Sequence, residues 1–287
     1  MIVCEPTSGL TSRMYVIADA YEMAYKFDQE LVIIWRKTSD CDCSYKKVFE
    51  NDQFSNVKTR VFECNQFDYK FSDMKSNLRL HSFIMFVREL FVRLSYYIKH
   101  TIIYNYYRKK CNIYKNSYRD NNALFCEDEA KGNNCFFEAY NCITAKGKTD
   151  CIKIRRIFEK EAESVMNCGR EHTIGVHIRR ADHEPARSLS TTEKFISRMR
   201  HEIEIDPKVR FYLATDDWNE QKNLQDVFGD RILSQAGKTL NRSSWEGIHS
   251  SIIDIICLSK TKYILGSYHS VFSRFAADYG SRQLYII

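Results

Sequence analysis

The chain of 287 residues is long enough for one large domain or two of ordinary size, and at 44% hydrophobic it can bury a real core. Its formal net charge is +6, yet residues 70–120 alone hold 11 Lys and Arg against 3 Asp and Glu, which leaves the remainder slightly acidic. Basicity confined to one segment without a recognition motif argues against nucleic acid as partner; no run of eighteen apolar residues argues for a membrane span; and the opening MIVCEPTSG lacks an export signal's pattern, so a cytoplasmic protein is expected.

In chain order, "TSGLTSRM" reads as a glycine turn, "YVIADAYEMAYKF" as a helix with Val16, Ala20, Met23, Ala24 and Phe27 at helical spacing, and Leu31 to Trp35 as a short buried parallel strand. Such a beginning suggests an α/β layer. Eleven cysteines, an odd set without C-x-x-C spacing, argue against a zinc site or a disulfide framework. The tightest pair, Cys41 and Cys43, is expected to act as small apolar filler among free thiols.

The basic segment contains "HSFIMFVRELFVRLSYYIKHTIIYNYYRKK", where Phe83, Val87, Leu90, Leu94 and Tyr97 share one helical stripe. It reads either as a packed helix with a solvated basic face or, over residues 83–119, as a peripheral contact for an anionic membrane surface or a glycan partner. Residues 120–150, rich in Asn, Gly and acidic side chains, show no periodicity, so the domain boundary is placed there, giving an N-terminal domain of residues 1–150 and a C-terminal domain of residues 151–287.

From 150 onward helices and strands alternate: "CIKIRRIFEKEAESVM" helix, "TIGVHI" strand, "TTEKFISRMRHEIE" helix, "VRFYLAT" strand, "WNEQKNLQDVFG" helix, "RILS" strand, "SSWEGIHSSIIDIICLSK" helix, "KYILG" strand, "VFSRFAADYG" helix and "LYII" strand. That alternation predicts a Rossmann-like parallel sheet, whose ligand crevice lies beyond the carboxyl ends of the strands. Unusual polar residues cluster at three such ends: His177, Arg179, Arg180 and Asp182; Thr215, Asp216 and Asp217; Ser267, Tyr268, His269 and Ser270.

Arg179 and Arg180 can supply forked donors to a phosphate, or form ion pairs with Asp182, Asp216 or Asp217. Ser267 and Ser270 stand where a helix begins, either as N-caps or beside an anion held by free backbone N–H groups, with Gly280 as that helix's stop signal. Asp254, inside the apolar "IIDII", needs a satisfier: a basic side chain of the protein or the N–H donors of a ligand base such as guanine. The "TDD" sequence suggests a divalent metal only if nothing else neutralises a diphosphate, and the arginine pair can, so no metal is expected.

"GVHIRRAD", "FYLATDD" and "SSIIDIICLSKTKYILGSYHSVFSRFA" resemble the three C-terminal motifs of the alpha-1,6-fucosyltransferase group and its bacterial relatives, including the nodulation-factor fucosyltransferases. "GLTSRMYVIADAYEMAYKFDQELVIIWR" is similar to that superfamily's opening glycine loop, helix and strand, while residues 50–150 match nothing. The resemblance implies an α/β, GT-B architecture of two Rossmann-like domains facing a cleft, and an inverting, metal-independent transfer of fucose from GDP-fucose to a glycan hydroxyl. It further implies that Arg179 holds the donor's β-phosphate with Arg180 in support, that His177 and Asp254 recognise guanine, that Asp217 helps at the nucleotide pocket, that Ser270 binds phosphate beside Ser267, and that Gly9 lets its loop approach the donor. The chain departs from the pattern at Thr11, His183 and Arg187. Arg187 stands where the core-fucosylating enzymes carry a carboxylate, leaving Glu184, Asp182 and His183 as candidates to take the acceptor proton. Rival readings are the same fold with another nucleotide sugar, or a noncatalytic nucleotide- or glycan-binding protein.

Overall fold

A computed structural model describes residues 1–51, 53–65, 80–116, 124–144, 148–166, 172–181 and 184–287. The chain divides into two units, Met1–Lys47 with Asn51–Gly147, and Val48–Glu50 with Lys148–Ile287. The short 48–50 segment joins the second unit through backbone pairing: Glu50 N–H donates to Lys153 O at 3.0 Å, Arg155 N–H to Val48 O at 3.0 Å, and Phe49 bridges Ile154. This extended pairing also delays the helix expected from Cys151, which begins only at Arg156.

The first unit is a parallel sheet of β1 (Ile2–Pro6), β2 (Leu31–Lys37), β3 (Thr59–Asn65), β4 (Asn112–Asn116) and β5 (Cys135–Ala139), in the order β3-β2-β1-β5-β4. Sequence periodicity revealed only β2. The residues 120–150 read as a transition contain β5, which pairs with β1 from Ile2↔Cys135 to Pro6↔Ala139 and so lies inside the sheet. Helix α1 (Leu10–Lys26) is buried along nearly its whole circumference, down to the side chain of Arg13. A single turn, α2 (Tyr45–Val48), and the long α3 (Leu80–Arg108) complete the unit. The stripe expected from Phe83 to Tyr97 is corrected at its described end. Leu94 and Tyr97 are exposed, and packing is made one turn later by Ile103, Tyr104 and the buried Tyr107 against Val3, Val32, Ile34 and Phe136.

The second unit is a parallel sheet of β6 (Thr173–Ile178), β7 (Arg210–Thr215), β8 (Ile232–Leu233), β9 (Ile264–Gly266) and β10 (Leu284–Ile286), ordered β10-β9-β6-β7-β8. Between and around the strands run α4 (Arg156–Val165), α5 (Glu184–Leu189), α6 (Thr192–Ile205), α7 (Trp218–Phe228), α8 (Trp245–Ser259) and α9 (Val271–Gly280). β6 is central, with all six residues buried, as a parallel strand covered on both faces must be. Its Ile174, Val176 and Ile178 pack with Phe211, Leu213, Phe195, Met199 and Leu224. Each such side chain contributes about 2 kcal/mol on leaving water.

Gly280 is not the stop signal of α9. The left-handed residue is Ser281, φ 52°, at the C-cap, whereas a Cβ on Gly280 would lie 2.1 Å from the Ser259 carbonyl oxygen at the end of α8. The glycine is needed for close helix approach rather than for termination.

Candidate donor site at the strand ends of the second unit

β6 and β9 end side by side, and their loops are tied together. Ser267, fully buried, accepts the Arg179 N–H at 3.0 Å on Oγ, while its own N–H donates to His177 O at 3.2 Å. Ser270 is the N-cap of α9 and its Oγ lies 3.3 Å from His177 Nδ1. The imidazole stacks on Phe272 at 4.8 Å. Burial, reinforced by the nearby cations Arg179 and Lys238, pushes the His177 pKa down to about 3, so the ring is neutral and can both donate and accept. His177, Arg179, Ser267 and Ser270 are therefore brought together, as the alternation of β6 and the start of α9 predict.

The arginine doublet divides. Arg180 turns into the protein, where its guanidinium donates to Arg179 O and Ser190 O, at 3.2 and 2.9 Å, and to Thr192 Oγ1 and Glu220 Oε1, both at 3.2 Å. The ion pair with Glu220 is nearly buried on both sides. Among the described residues its carboxylate partner is thus Glu220, in the first turn of α7, rather than Asp216 or Asp217. Arg180 accordingly braces the turn and does not present its fork at the crevice. Asp216 shapes the same turn, accepting the Arg180 N–H at 2.7 Å and the Ala181 N–H at 3.3 Å.

Asp217 caps α7, accepting the N–H groups of Asn219 and Glu220 at 2.7 and 3.1 Å on Oδ1. Asp254 is buried on α8, and the protein satisfies one of its oxygens: Oδ1 accepts from Tyr212 OH and Gln235 Nε2, each at 2.6 Å. Oδ2 has the Lys238 ammonium at 3.9 Å. Burial raises the Asp254 pKa, against the pull of Lys238 and the two hydrogen bonds.

Lys238 is the residue that sequence reading passed over. Its side chain is buried, it donates to Thr215 O at 3.4 Å, and its ammonium stands 5.8 Å from the ring centre of the half-exposed Trp218. The available signal was a lone lysine in "QAGKTLNR", the loop after a strand of the same sheet. A buried ammonium with two long contacts has donor capacity for an anionic or carbonyl ligand group.

Of the remaining residues, Glu184 opens α5 at the surface and is paired with Arg187, the residue standing at the register where the resembled enzymes carry a carboxylate. Asp182 and His183 lie outside the described residues. Gly9 belongs to the first unit, where it is the N-cap of α1 with φ −65°. Among the described residues a Cβ there would meet only Asp40 O at 3.9 Å, an ordinary contact, and the backbone is in a region open to any residue. Its turn is held by Arg13, which donates to Ser8 O, to Arg36 O at 2.5 Å and to Thr38 Oγ1 at 2.7 Å. Cys41 and Cys43 sit below, both buried, with sulfurs 3.6 Å apart. Among the described residues, no three His, Cys, Asp or Glu side chains group to hold a metal ion.

No family model matches the chain, and neither does any curated protein. Solved structures do. NodZ alpha-1,6-fucosyltransferase co-crystallised with GDP aligns with a TM-score of 0.58 at 16% identity, covering 96% of this chain and 90% of that one; the same enzyme is described elsewhere as coming from Bradyrhizobium. POFUT1 in complex with GDP aligns at 0.54 and 8% identity over 100% and 97% of the two chains. A variant of Arabidopsis thaliana FUT1 with GDP aligns at 0.55 and 13%, over 99% and 69%. At such identities the likeness is one of fold: two parallel five-stranded sheets with helices, as in the GT-B fucosyltransferases.

Proposed function

We propose that the chain transfers fucose from GDP-fucose to a hydroxyl of a glycan acceptor, with inversion and without a metal ion. The observation that carries this reading is the hydrogen-bonded group of His177, Arg179, Ser267 and Ser270 at the carboxyl ends of β6 and β9, where open α/β sheets bind their ligands. In it the backbone is fixed at Arg179 while the α9 N-terminus offers N–H groups to an anion. The solved structures of like fold that carry GDP or GDP-fucose support the same donor.

The guanine edge meets neutral His177 and Asp254 Oδ2, and the diphosphate meets Arg179 and the start of α9. As the glycosidic bond breaks, charge grows on the β-phosphate. Fixed guanidinium and N–H donors stabilise that charge more in the transition state than in the ground state, which is the role a metal ion fills elsewhere. The proton of the acceptor hydroxyl goes to a carboxylate or imidazole among residues 182–184, with Glu184 and Asp182 as first candidates.

Arg179→Ala should abolish transfer and remove the thermal stabilisation given by GDP. Undiminished transfer by that variant would refute the assignment. Calorimetry with GDP, UDP and CMP tests the donor, and a preference for either pyrimidine nucleotide replaces it.

A second reading, a noncatalytic nucleotide- or glycan-binding protein, is favoured by the engagement of Glu184 with Arg187. Saturable GDP binding without fucose transfer to a broad acceptor panel would support it.

A further inference from the structure

Helix α3 has two apolar faces, and among the described residues only one of them packs against the rest of the chain. On the inner face His100 Nε2 lies 3.0 Å from Glu5 Oε1, Tyr104 OH donates to Glu138 Oε2 at 2.9 Å, and Ile103 and Tyr107 pack on the sheet. These contacts, spread over two turns, fix the rotation of the helix. At 3.6 residues per turn, Phe91, Leu94, Ile98, Ile102 and Tyr106 then fall on the opposite side, within an arc about 120° wide. They are exposed accordingly, Phe91 by 66%, Ile98 by 49%, Ile102 by 64% and Tyr106 by 51%. Single exposed apolar residues are ordinary in proteins; a continuous stripe of them along one helix is not.

We propose that this outer face of α3 is a docking surface for an anionic lipid bilayer, with the helix lying in the plane of the interface. Charge selects the occupant. The surrounding segment 70–120 carries 11 Lys and Arg against 3 acidic residues, and Arg108, Lys109 and Lys110 are all exposed where the stripe ends. Lys110 sits 4.0 Å from the ring centre of Tyr106 and donates to its hydroxyl at 2.5 Å, an aromatic–ammonium pair of the kind that suits a headgroup layer. A second copy of this chain would set two cationic surfaces face to face, and nucleic acid would leave the apolar stripe in water. Among the described residues no helix is long and apolar enough to cross a membrane, and α3 fits the dimensions of a helix that lies on one.

The test is co-sedimentation of the full chain with vesicles of phosphatidylcholine alone and of phosphatidylcholine mixed with phosphatidylglycerol. Binding should be selective for the anionic vesicles and should weaken with salt. Ile98→Asp with Ile102→Asp should lower it more than about tenfold, and Lys109→Gln with Lys110→Gln about 30-fold, by the loss of two surface charges. Both substitutions are at solvent-exposed positions, so the unfolding midpoint should hold. Equal binding to both vesicle types, binding indifferent to either double variant, or a dimer in solution that Ile98→Asp with Ile102→Asp dissolves would each overturn the proposal.

Discussion

In the second unit the carboxyl ends of β6 and β9 carry His177 and Ser267, which join a hydrogen-bonded group that includes the start of α9, while Thr215 at the end of β7 accepts from the Lys238 ammonium. In the first unit the strand ends carry Glu5, Arg36 and Glu138, and the charges meet one another and α3: Arg36 pairs with Glu5 at 3.1 Å and Lys115 with Glu138 at 2.7 Å. Two sheets of the same general plan thus use the same positions differently, one to build a polar hydrogen-bonded group, the other to anchor a helix. The proposed donor chemistry draws on the second unit, and the first unit's distinctive element is α3.

The largest expected effect tests whether the units are energetically separate. Gly280→Ala forces a Cβ to within 2.1 Å of the Ser259 carbonyl and should destabilise the α8–α9 contact by about 3 kcal/mol. Hydrogen exchange should then rise across residues 245–287 and stay unchanged across 2–37. A uniform rise would mean that the two sheets unfold as one body.

A smaller effect contrasts two buried titrating groups. His177 is held down at about 3 by burial, so the unfolded chain binds more protons below its ordinary value of 6.5; stability from this group is present above that value and declines as pH falls toward 3. Asp19 in the first unit is pushed up to about 6 by burial, although Ile143 N–H, Thr144 N–H and the Thr144 hydroxyl all donate to it. Its contribution has the opposite sign, complete below 3.8 and lost as pH rises through 6. Urea unfolding between pH 7 and 4 should show a shallower acid loss for His177→Gln and a steeper one for Asp19→Asn, each shift within about 3 kcal/mol. Matching slopes for the two variants would erase the contrast.

The smallest effect on stability concerns the exposed Glu184–Arg187 pair. Glu184→Gln should change stability by no more than about 0.5 kcal/mol. Its kcat should nevertheless fall by about 100-fold if this carboxylate takes the acceptor proton. A normal kcat moves that task to Asp182 or His183.

Much of the second unit was legible because each piece of its chemistry is local: "GVHI", "FYLA" and "YILG" are short apolar runs with polar residues directly behind them. The first unit was less so. Ile2–Pro6 and Cys135–Ala139 are five-residue strands that form only within the sheet, and their pairing with each other across so long a separation leaves no periodic trace in either segment. Within the site, Arg180 and Asp217 show the same limit. Their side chains are of the types a diphosphate site uses, and only the placement of Glu220 and the first turn of α7 assigns one to an internal ion pair and the other to a cap. Lys238 escaped because a solitary lysine in a loop has no pattern; its meaning comes from Asp254 and Thr215, supplied by other elements.

The uncharged state of His177 has a kinetic consequence. An imidazole that does not ionise between pH 5 and 8 adds no pH dependence of its own to capture of the proposed nucleotide sugar, so a change in KM over that range would point to Asp254, whose pKa burial raises. An acid limb confined to kcat then reports the group that accepts the proton, and one confined to KM reports the donor side.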